Sequence, residues 1–222
     1  MLADLRAQLV HEAPDVRRRV VGKLGDMRKA RLERRFSLVT CPFNAAQHLY
    51  EREDVERWLA CVHAHLRPNG ELVFDVAMPI LEDLARDPNV AYGTPPFDHP
   101  THGRVRYSEH FDYDRARQIL FVSMCFEPIA EKKSRKTRAA EDAHPPDSFM
   151  VPLAHRQFYP RELEALLHYN GFEVTSMFGD FHGSPLGQRS DVIVVHARAR
   201  KGQSPAARRR SPRPGHPRRL PQ

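Results

Sequence analysis

The stretch that decides the fold runs from Val55 to Met78 and reads VERWLACVHAHLRPNGELVFDVAM. Its first half carries apolar residues on one helical face: Val55, Trp58, Leu59, Val62 and Leu66. The turn Pro68-Asn69-Gly70 stops that helix. The mostly apolar run Leu72–Met78 follows and is typical of a strand that is buried on both faces. The stretch therefore predicts a helix that passes into a buried strand.

Further segments of the same kind precede this stretch. Phe36–Phe43 is a short apolar run that predicts a second buried strand, and Val16–Leu24 is predicted as a third strand that ends at Gly25-Asp26. Residues 2–10 place leucines at helical spacing before it. This alternation of strands and helices predicts a parallel sheet with helices on its faces.

The segments after Met78 have a different character. Arg104–Asp112 and Gln118–Glu127 are strand-like and separated by a short turn, so they predict an antiparallel hairpin. The remaining predicted elements are a strand at 149–158, a helix that Pro160 opens and Gly171 closes, and strands at 172–181 and 190–198. The predicted fold class is α/β: a Rossmann-like, mostly parallel sheet with an antiparallel end and an inserted antiparallel hairpin.

Composition excludes several classes of protein. The chain has 222 residues, 41% of them hydrophobic, which suits one globular domain with a proper core. It contains no apolar run near the ~20 residues of a membrane helix and no signal-peptide core, so we expect a cytoplasmic protein with no membrane partner. The cysteines Cys41, Cys61 and Cys125 are scattered without zinc-like spacing, and no metal is implied.

The positive charge is confined to one end of the chain. The net charge is +7, and residues 201–222 contain seven Lys or Arg and no acid, which leaves residues 1–200 formally neutral. We expect a folded domain at 1–200 with a mobile loop at 131–148, and a disordered basic tail at 201–222. Such a tail can bind nucleic acid through phosphates, but it has no aromatic residue to stack on bases, so a solvated tail is the favoured interpretation.

Four motifs carry a resemblance that covers roughly residues 1–200. They are the turn Gly25-Asp26-Met27-Arg28, the strand and exit at Phe36–Asn44, the turn and strand Leu66-Arg-Pro-Asn-Gly-Glu-Leu-Val-Phe-Asp75, and the helix with its Gly-Phe end at Glu162–Phe172. Together they resemble class I S-adenosylmethionine-dependent methyltransferases. The extra antiparallel strands are similar to those of the small-molecule type, which includes enzymes that methylate amino sugars. The resemblance implies S-adenosylmethionine as cofactor.

One departure from this family dominates the prediction. The family's first strand ends in a Gly-rich loop that approaches the cofactor's methionine part, and an acidic residue after its second strand binds the ribose. This chain has 11 glycines and no Gly-x-Gly. We therefore expect an N-terminally truncated domain whose first strands are missing. Two alternatives to an enzyme stay open: a non-enzymatic remnant or partner subunit, and a nucleic-acid-associated protein that acts through its tail.

The resemblance implies a cofactor site at two strand ends. Asp26 would accept hydrogen bonds from the adenine amino group, with the backbone of Met27 beside it. Cys41-Pro42-Phe43-Asn44 would face the methionine part and the transferred methyl group, where an open α/β sheet binds its ligands. The alternative for Asp26 is an ordinary turn or helix cap, and for Cys41 a small buried residue, which we favour over a nucleophile.

Fewer residues are implied for the methyl acceptor. His48 would touch the acceptor or act as a general base near neutral pH; the alternative is a structural histidine. Tyr107, on the predicted hairpin, and His155 with Arg156, before the last helix, would line the acceptor pocket; the alternative for each is a solvated strand face. If the chain is active, it transfers a methyl group to N or O of a small molecule.

Overall fold

The computed structural model describes residues 2–129 and 147–200. Most of the predicted loop 131–148 and all of the predicted tail 201–222 lie outside these residues. The helices are α1 (Leu2–Leu9), α2 (Pro14–Arg19), α3 (Arg52–His65), α4 (Leu81–Leu84) and α5 (Pro160–Tyr169), with a 3-10 turn at Ala45–His48. The strands are β1 (Phe36–Cys41), β2 (Leu66–Ala77), β3 (Tyr92–His99), β4 (Gly103–Asp114), β5 (Ile119–Pro128), β6 (Phe149–Arg156), β7 (Phe172–Phe178) and β8 (Val192–Ala199).

Sheet A, in the order β1-β2-β8-β7, holds the core. β1 and β2 are parallel, whereas β2–β8 and β8–β7 are antiparallel. Helix α3 packs against β1 and β2, and α5 packs against β7. The buried side chains between these layers include Trp58, Leu59, Leu72, Phe74, Leu167, Phe172, Ile193 and Val195. The α/β Rossmann-like class is confirmed, and the described part of this sheet is mixed, with one parallel pairing and two antiparallel ones.

The first residues of β2, just after α3, show why the sequence has Asn69-Gly70 at this point. Asn69 lies in the left-handed region at φ 62°. A Cβ on Gly70 would lie 2.9 Å from the carbonyl oxygen of Arg67 and 3.0 Å from that of Phe36. The turn therefore requires glycine, because it brings the backbone against the start of β1.

Sheet B, in the order β3-β4-β5-β6, is antiparallel throughout. The predicted hairpin and the strand at 149–158 correspond to β4, β5 and β6 and are confirmed. Strand β3 was not predicted, because it contains Pro95 and Pro96; its register shifts between Thr94 and Phe97, and it lies at the sheet edge, where proline is tolerated. The inserted unit is a four-stranded sheet rather than a hairpin.

The predicted strand at Val16–Leu24 is wrong. Its first residues belong to α2, which Pro14 opens and in which Arg19 pairs with Asp15 at 2.5 Å. Residues 20–26 form neither strand nor helix. Pro14 has its φ preset for a helix, and among the described residues no strand pairs with this segment, so its valines have no sheet to join.

Candidate functional site

The carboxyl end of β1 leads into an exit loop, Pro42–Asn44, with an unusual backbone. Phe43 and Asn44 both have positive φ, 66° and 56°. The carboxylate of Asp75 in β2, only 5% exposed, accepts both of their backbone N–H groups, at 2.9 Å from Phe43 and 3.0 Å from Asn44. Left-handed backbone is unfavourable at Phe43 and tolerated at Asn44, so the two hydrogen bonds to the buried carboxylate help to hold this loop shape.

The exit loop presents side chains to solvent, whereas the residue before it is buried. Phe43 is 93% exposed, although it is a large aromatic residue. Burial, together with the charge of Asp75, raises the pKa of the Cys41 thiol to about 11, so this thiol is protonated at neutral pH and unsuited to nucleophilic attack. The loop thus offers the apolar surface of Phe43 to a ligand, while two of its N–H groups are taken.

A buried glutamine joins this region of sheet A to sheet B. Gln47 lies in the 3-10 turn and has no exposed surface. Its side-chain oxygen accepts the N–H of Ala77 at the end of β2 at 3.3 Å, and its amide nitrogen donates to the carbonyl of Arg156 at the end of β6 at 3.1 Å. One turn therefore fixes the ends of β2 and β6 side by side, at the strand ends where open α/β sheets bind their ligands.

Two of the predicted acceptor residues come together at this junction. The imidazoles of His48, which is exposed, and His155, half-buried on β6, stand edge to face with ring centroids 5.0 Å apart. Nδ1 of His48 is 3.5 Å from the hydroxyl of Tyr50, which donates to the Ala154 carbonyl at 3.1 Å. Burial, and secondly the neighbouring His48, lower the pKa of His155. An exposed imidazole beside a neutral one can take up a proton from a bound molecule.

Arg156 is committed to contacts within the protein. Its guanidinium pairs with Glu162 at 2.5 Å, donates to the Tyr50 carbonyl at 3.2 Å and to the Gln118 side chain at 3.4 Å, and lies 4.9 Å from the Phe158 ring centroid. Its side chain is only 12% exposed. Arg156 therefore ties β6 to α5 and to the segment after the 3-10 turn, next to the histidine pair.

Tyr107 lies far from the histidine pair. His155 faces Tyr113 across β5, and Tyr107 is six residues before Tyr113 along β4, roughly 20 Å at strand spacing. Its ring packs on Phe126, and its hydroxyl donates to Glu109; burial, and then this hydrogen bond, raise the pKa of Tyr107. The structure does not bring Tyr107 within reach of a small molecule that contacts His155.

The predicted adenine-side residues lie on a turn that is attached to α3. The carboxylate of Asp26 accepts the backbone N–H of Arg28 at 2.9 Å and its guanidinium at 2.8 Å, and Arg28 also pairs with Asp54 of α3 at 2.9 Å. The hydrogen bonds from Arg28 hold the pKa of Asp26 well below its usual range. Met27 is partly buried against the core. Asp26 is thus ionised, and each of its two carboxylate oxygens accepts a hydrogen bond from the Arg28 side chain.

Comparison with known proteins shows the fold. No family model and no curated protein matches the chain. An S-adenosylmethionine-dependent methyltransferase from Clostridium acetobutylicum aligns at a TM-score of 0.60 and 13% identity, over 80% of this chain and 64% of that one. The CcbJ methyltransferase from Streptomyces caelestis aligns at 0.67 and 20% identity, over 90% of this chain and 70% of that one.

This chain has the fold of S-adenosylmethionine-dependent methyltransferases. The glycopeptide N-methyltransferase MtfA also aligns with this chain, at a TM-score of 0.53 and 22% identity, over 88% of this chain and 67% of that one. The MtfA structure holds S-adenosyl-L-methionine. The resemblance stated from the motifs is confirmed at the level of the fold. The chain spans less than two thirds of the Clostridium protein's length.

Sequence reasoning did not single out Asp75, Gln47 or Glu162 as parts of the site. Asp75 gave a signal, because an acid inside the apolar run Leu72–Met78 must find hydrogen-bond donors once it is buried. Gln47 and Glu162 gave no such signal, because their roles depend on contacts with Arg156. Gln47 lies far from Arg156 in the sequence.

Within 2–129 and 147–200, no helix is long and apolar enough to cross a membrane. The same residues contain no group of three or more His, Cys, Asp or Glu that could hold a metal ion.

Proposed function

We propose that this chain is the acceptor-side part of an S-adenosylmethionine-dependent methyltransferase that acts on N or O of a small molecule. The observation that carries the proposal is the junction at Gln47, where the exit loop held by Asp75 meets the pair His48–His155. The junction lies at the strand ends where an open α/β sheet binds its ligands. S-adenosylmethionine would supply a methyl group on a sulfonium, and transfer then depends chiefly on how the acceptor is positioned.

The predicted cofactor residues suit part of this molecule. Asp26 offers an ionised acceptor for an adenine amino group, and Met27, Pro42 and Phe43 offer apolar surface for the ring and the methylthio group. The backbone N–H groups of Phe43 and Asn44 are taken by Asp75 and cannot serve the methionine carboxylate. The cofactor's carboxylate, amine and ribose hydroxyls therefore need partners from further residues, because unpaired polar groups are costly to bury.

The histidine pair suits a role at the acceptor. His48 is the exposed member, so it is the one we assign to receive the acceptor's proton, while His155 stays neutral and packs against it. Arg156 would contribute by fixing His155, since its guanidinium already has protein partners. A hydroxyl acceptor needs such a base, whereas a neutral amine needs little help. His48→Gln should therefore lower turnover about a hundredfold with a hydroxyl acceptor and only slightly with an amine.

Titration calorimetry of the chain with S-adenosylmethionine tests the division of the site. We expect a dissociation constant weaker than about 10 μM, which corresponds to about −7 kcal/mol. Tighter binding would show that the described residues suffice for the cofactor, and the acceptor-side assignment would be wrong.

An extended chain tests the adenine position. A first strand, a Gly-x-Gly loop and an acid-tipped second strand are fused upstream, and cofactor binding should appear. In that chain Asp26→Ala should weaken binding at least about tenfold, since one hydrogen-bonding partner is lost. Asp15→Ala is the matched control, because among the described residues Asp15 pairs only with Arg19 on α2. Equal affinity of both variants would place the adenine elsewhere.

The predicted small-molecule acceptor and cytoplasmic location stay predictions.

A further inference from the structure

A cavity lined by three arginines lies at the opposite end of β1 from the exit loop. Its volume is about 280 Å³, and its lining residues are Arg34, Arg35, Phe36, Ser37 and Arg67; we call it the arginine cavity. Phe36 opens β1 and Cys41 ends it, so the cavity and the candidate methyl-transfer site are roughly 17 Å apart along the strand. The two are separate places on the molecule.

Two of the three guanidinium groups are held in place. Nε of Arg67 donates to the carbonyl of Arg35 at 3.2 Å, which leaves the terminal nitrogens of Arg67 as donors. The guanidinium of Arg34 lies over the Phe36 ring, 5.0 Å from its centroid. Side chains that are already fixed lose less conformational freedom when a ligand binds, so these contacts favour binding.

The arginine cavity has an uncompensated positive charge. Three of its five lining residues are cationic and none is acidic. Within residues 2–129 and 147–200, Arg34, Arg35 and Arg67 take part in no ion pair, whereas Arg28, Arg52 and Arg156 each pair with an acid. Like charges around one cavity repel each other, and an anion between them removes that repulsion.

We infer that the arginine cavity binds the phosphoryl group of a small anion. Guanidinium groups match phosphate oxygens with two parallel hydrogen bonds, and the Ser37 hydroxyl adds a neutral donor. The cavity is at the lower end of the size range of small-molecule pockets, which suits a phosphomonoester, a pyrophosphate or free phosphate. This inference does not rest on the proposed methyl transfer.

His63 provides an internal reporter of binding. Its Nε2 is buried and, among the described residues, has no hydrogen-bond partner. Burial, and secondly the charge of Arg35, lower the pKa of His63. An anion beside Arg35 offsets that charge, so the pKa of His63 should rise when the site fills.

Calorimetry and NMR of the full chain, with inorganic phosphate and pyrophosphate as probes, test the inference. Arg34→Gln and Arg67→Gln should each weaken pyrophosphate binding about tenfold, because each removes one charge-assisted partner. Arg161→Gln is the matched control, since Arg161 is exposed on α5 and pairs with Glu164. The His63 ring signals should titrate at higher pH with pyrophosphate present, and in Arg67→Gln the same shift should require about tenfold more pyrophosphate.

Three results would overturn the inference. They are no binding of either probe at millimolar concentration, equal weakening in Arg67→Gln and Arg161→Gln, and binding that only a single-stranded oligonucleotide shows. The last result would assign phosphate contacts to residues outside this cavity.

Discussion

The buried carboxylate of Asp75 gives the sharpest prediction. Asp75→Asn keeps the size of the side chain but replaces one acceptor oxygen by an NH2 group, which then faces a backbone N–H. One of the two hydrogen bonds to the exit loop is lost, and a buried donor is left unpaired. A bond to a charged group contributes roughly 1.5–3 kcal/mol and an unpaired buried donor costs a similar amount, so we expect the free energy of unfolding to fall by about 2–4 kcal/mol.

Urea unfolding, followed by the fluorescence of the only tryptophan, measures this loss. Trp58 is 4% exposed and its ring lies 5.3 Å from that of Phe74, next to Asp75 in β2, so it reports on this part of the core. Glu71→Gln is the control: it removes a charge from the same strand, and its partner His196 lies 3.3 Å away at a partly exposed site. The control should change stability by less than about 0.5 kcal/mol. An Asp75→Asn midpoint equal to that of the control would refute the reasoning.

Three further predictions each concern one residue. Phe43→Gly should be more stable than Phe43→Ala by about 1 kcal/mol in urea unfolding, because φ of residue 43 is 66° and the Phe43 side chain is exposed. The reverse order of stability would mean that the loop backbone is not left-handed. The free energy of unfolding should fall as the pH drops below about 6.5, because the fold lowers the pKa of His63 and the unfolded state therefore binds more protons. In His63→Phe, the loss of stability between about pH 7.5 and 5.5 should be smaller than in the unmodified chain. An equal loss in both would contradict this reasoning. Alkylation at about pH 8, followed by mass spectrometry, should modify Cys41 at least about tenfold more slowly than Cys125 in the native protein; equal rates would show that Cys41 is accessible.

Local patterns predicted the elements whose own residues decide their structure. The apolar face of α3 and the run in β2 were found because helix period and burial are written in adjacent residues. The segment Val16–Leu24 was misassigned because its valines favour a strand only where a neighbouring strand exists, and Pro14 favours a helix regardless of partners. Strand β3 was missed for the opposite reason: its pairing with β4 overrides the two prolines within it.

The site was less predictable than the fold, because its contacts join distant segments. His48 and His155 were both singled out, but only the folded chain shows that they stand 5.0 Å apart. Arg156 was predicted to contact the acceptor, and the folded chain shows that its terminal nitrogens contact Glu162 on α5, Gln118 between β4 and β5, and the Tyr50 carbonyl. A charged residue near a site can serve the site or serve the fold, and only its partners distinguish the two roles.

The exit loop and the proposed adenine contact are tested in different proteins: the first in the chain as it stands, the second in the extended chain. The exit loop takes its shape from Asp75, a residue of the same sheet, and needs no bound cofactor to hold it. The effect of Asp75→Asn should therefore appear in the chain as it stands. The proposed adenine contact at Asp26 can affect affinity only when further residues complete the cofactor site. Among the described residues β1 pairs only with β2, so its other edge is free to pair with an added strand. If the extended chain binds S-adenosylmethionine and Asp75→Asn then lowers turnover more than affinity, the loop positions the reaction rather than the cofactor.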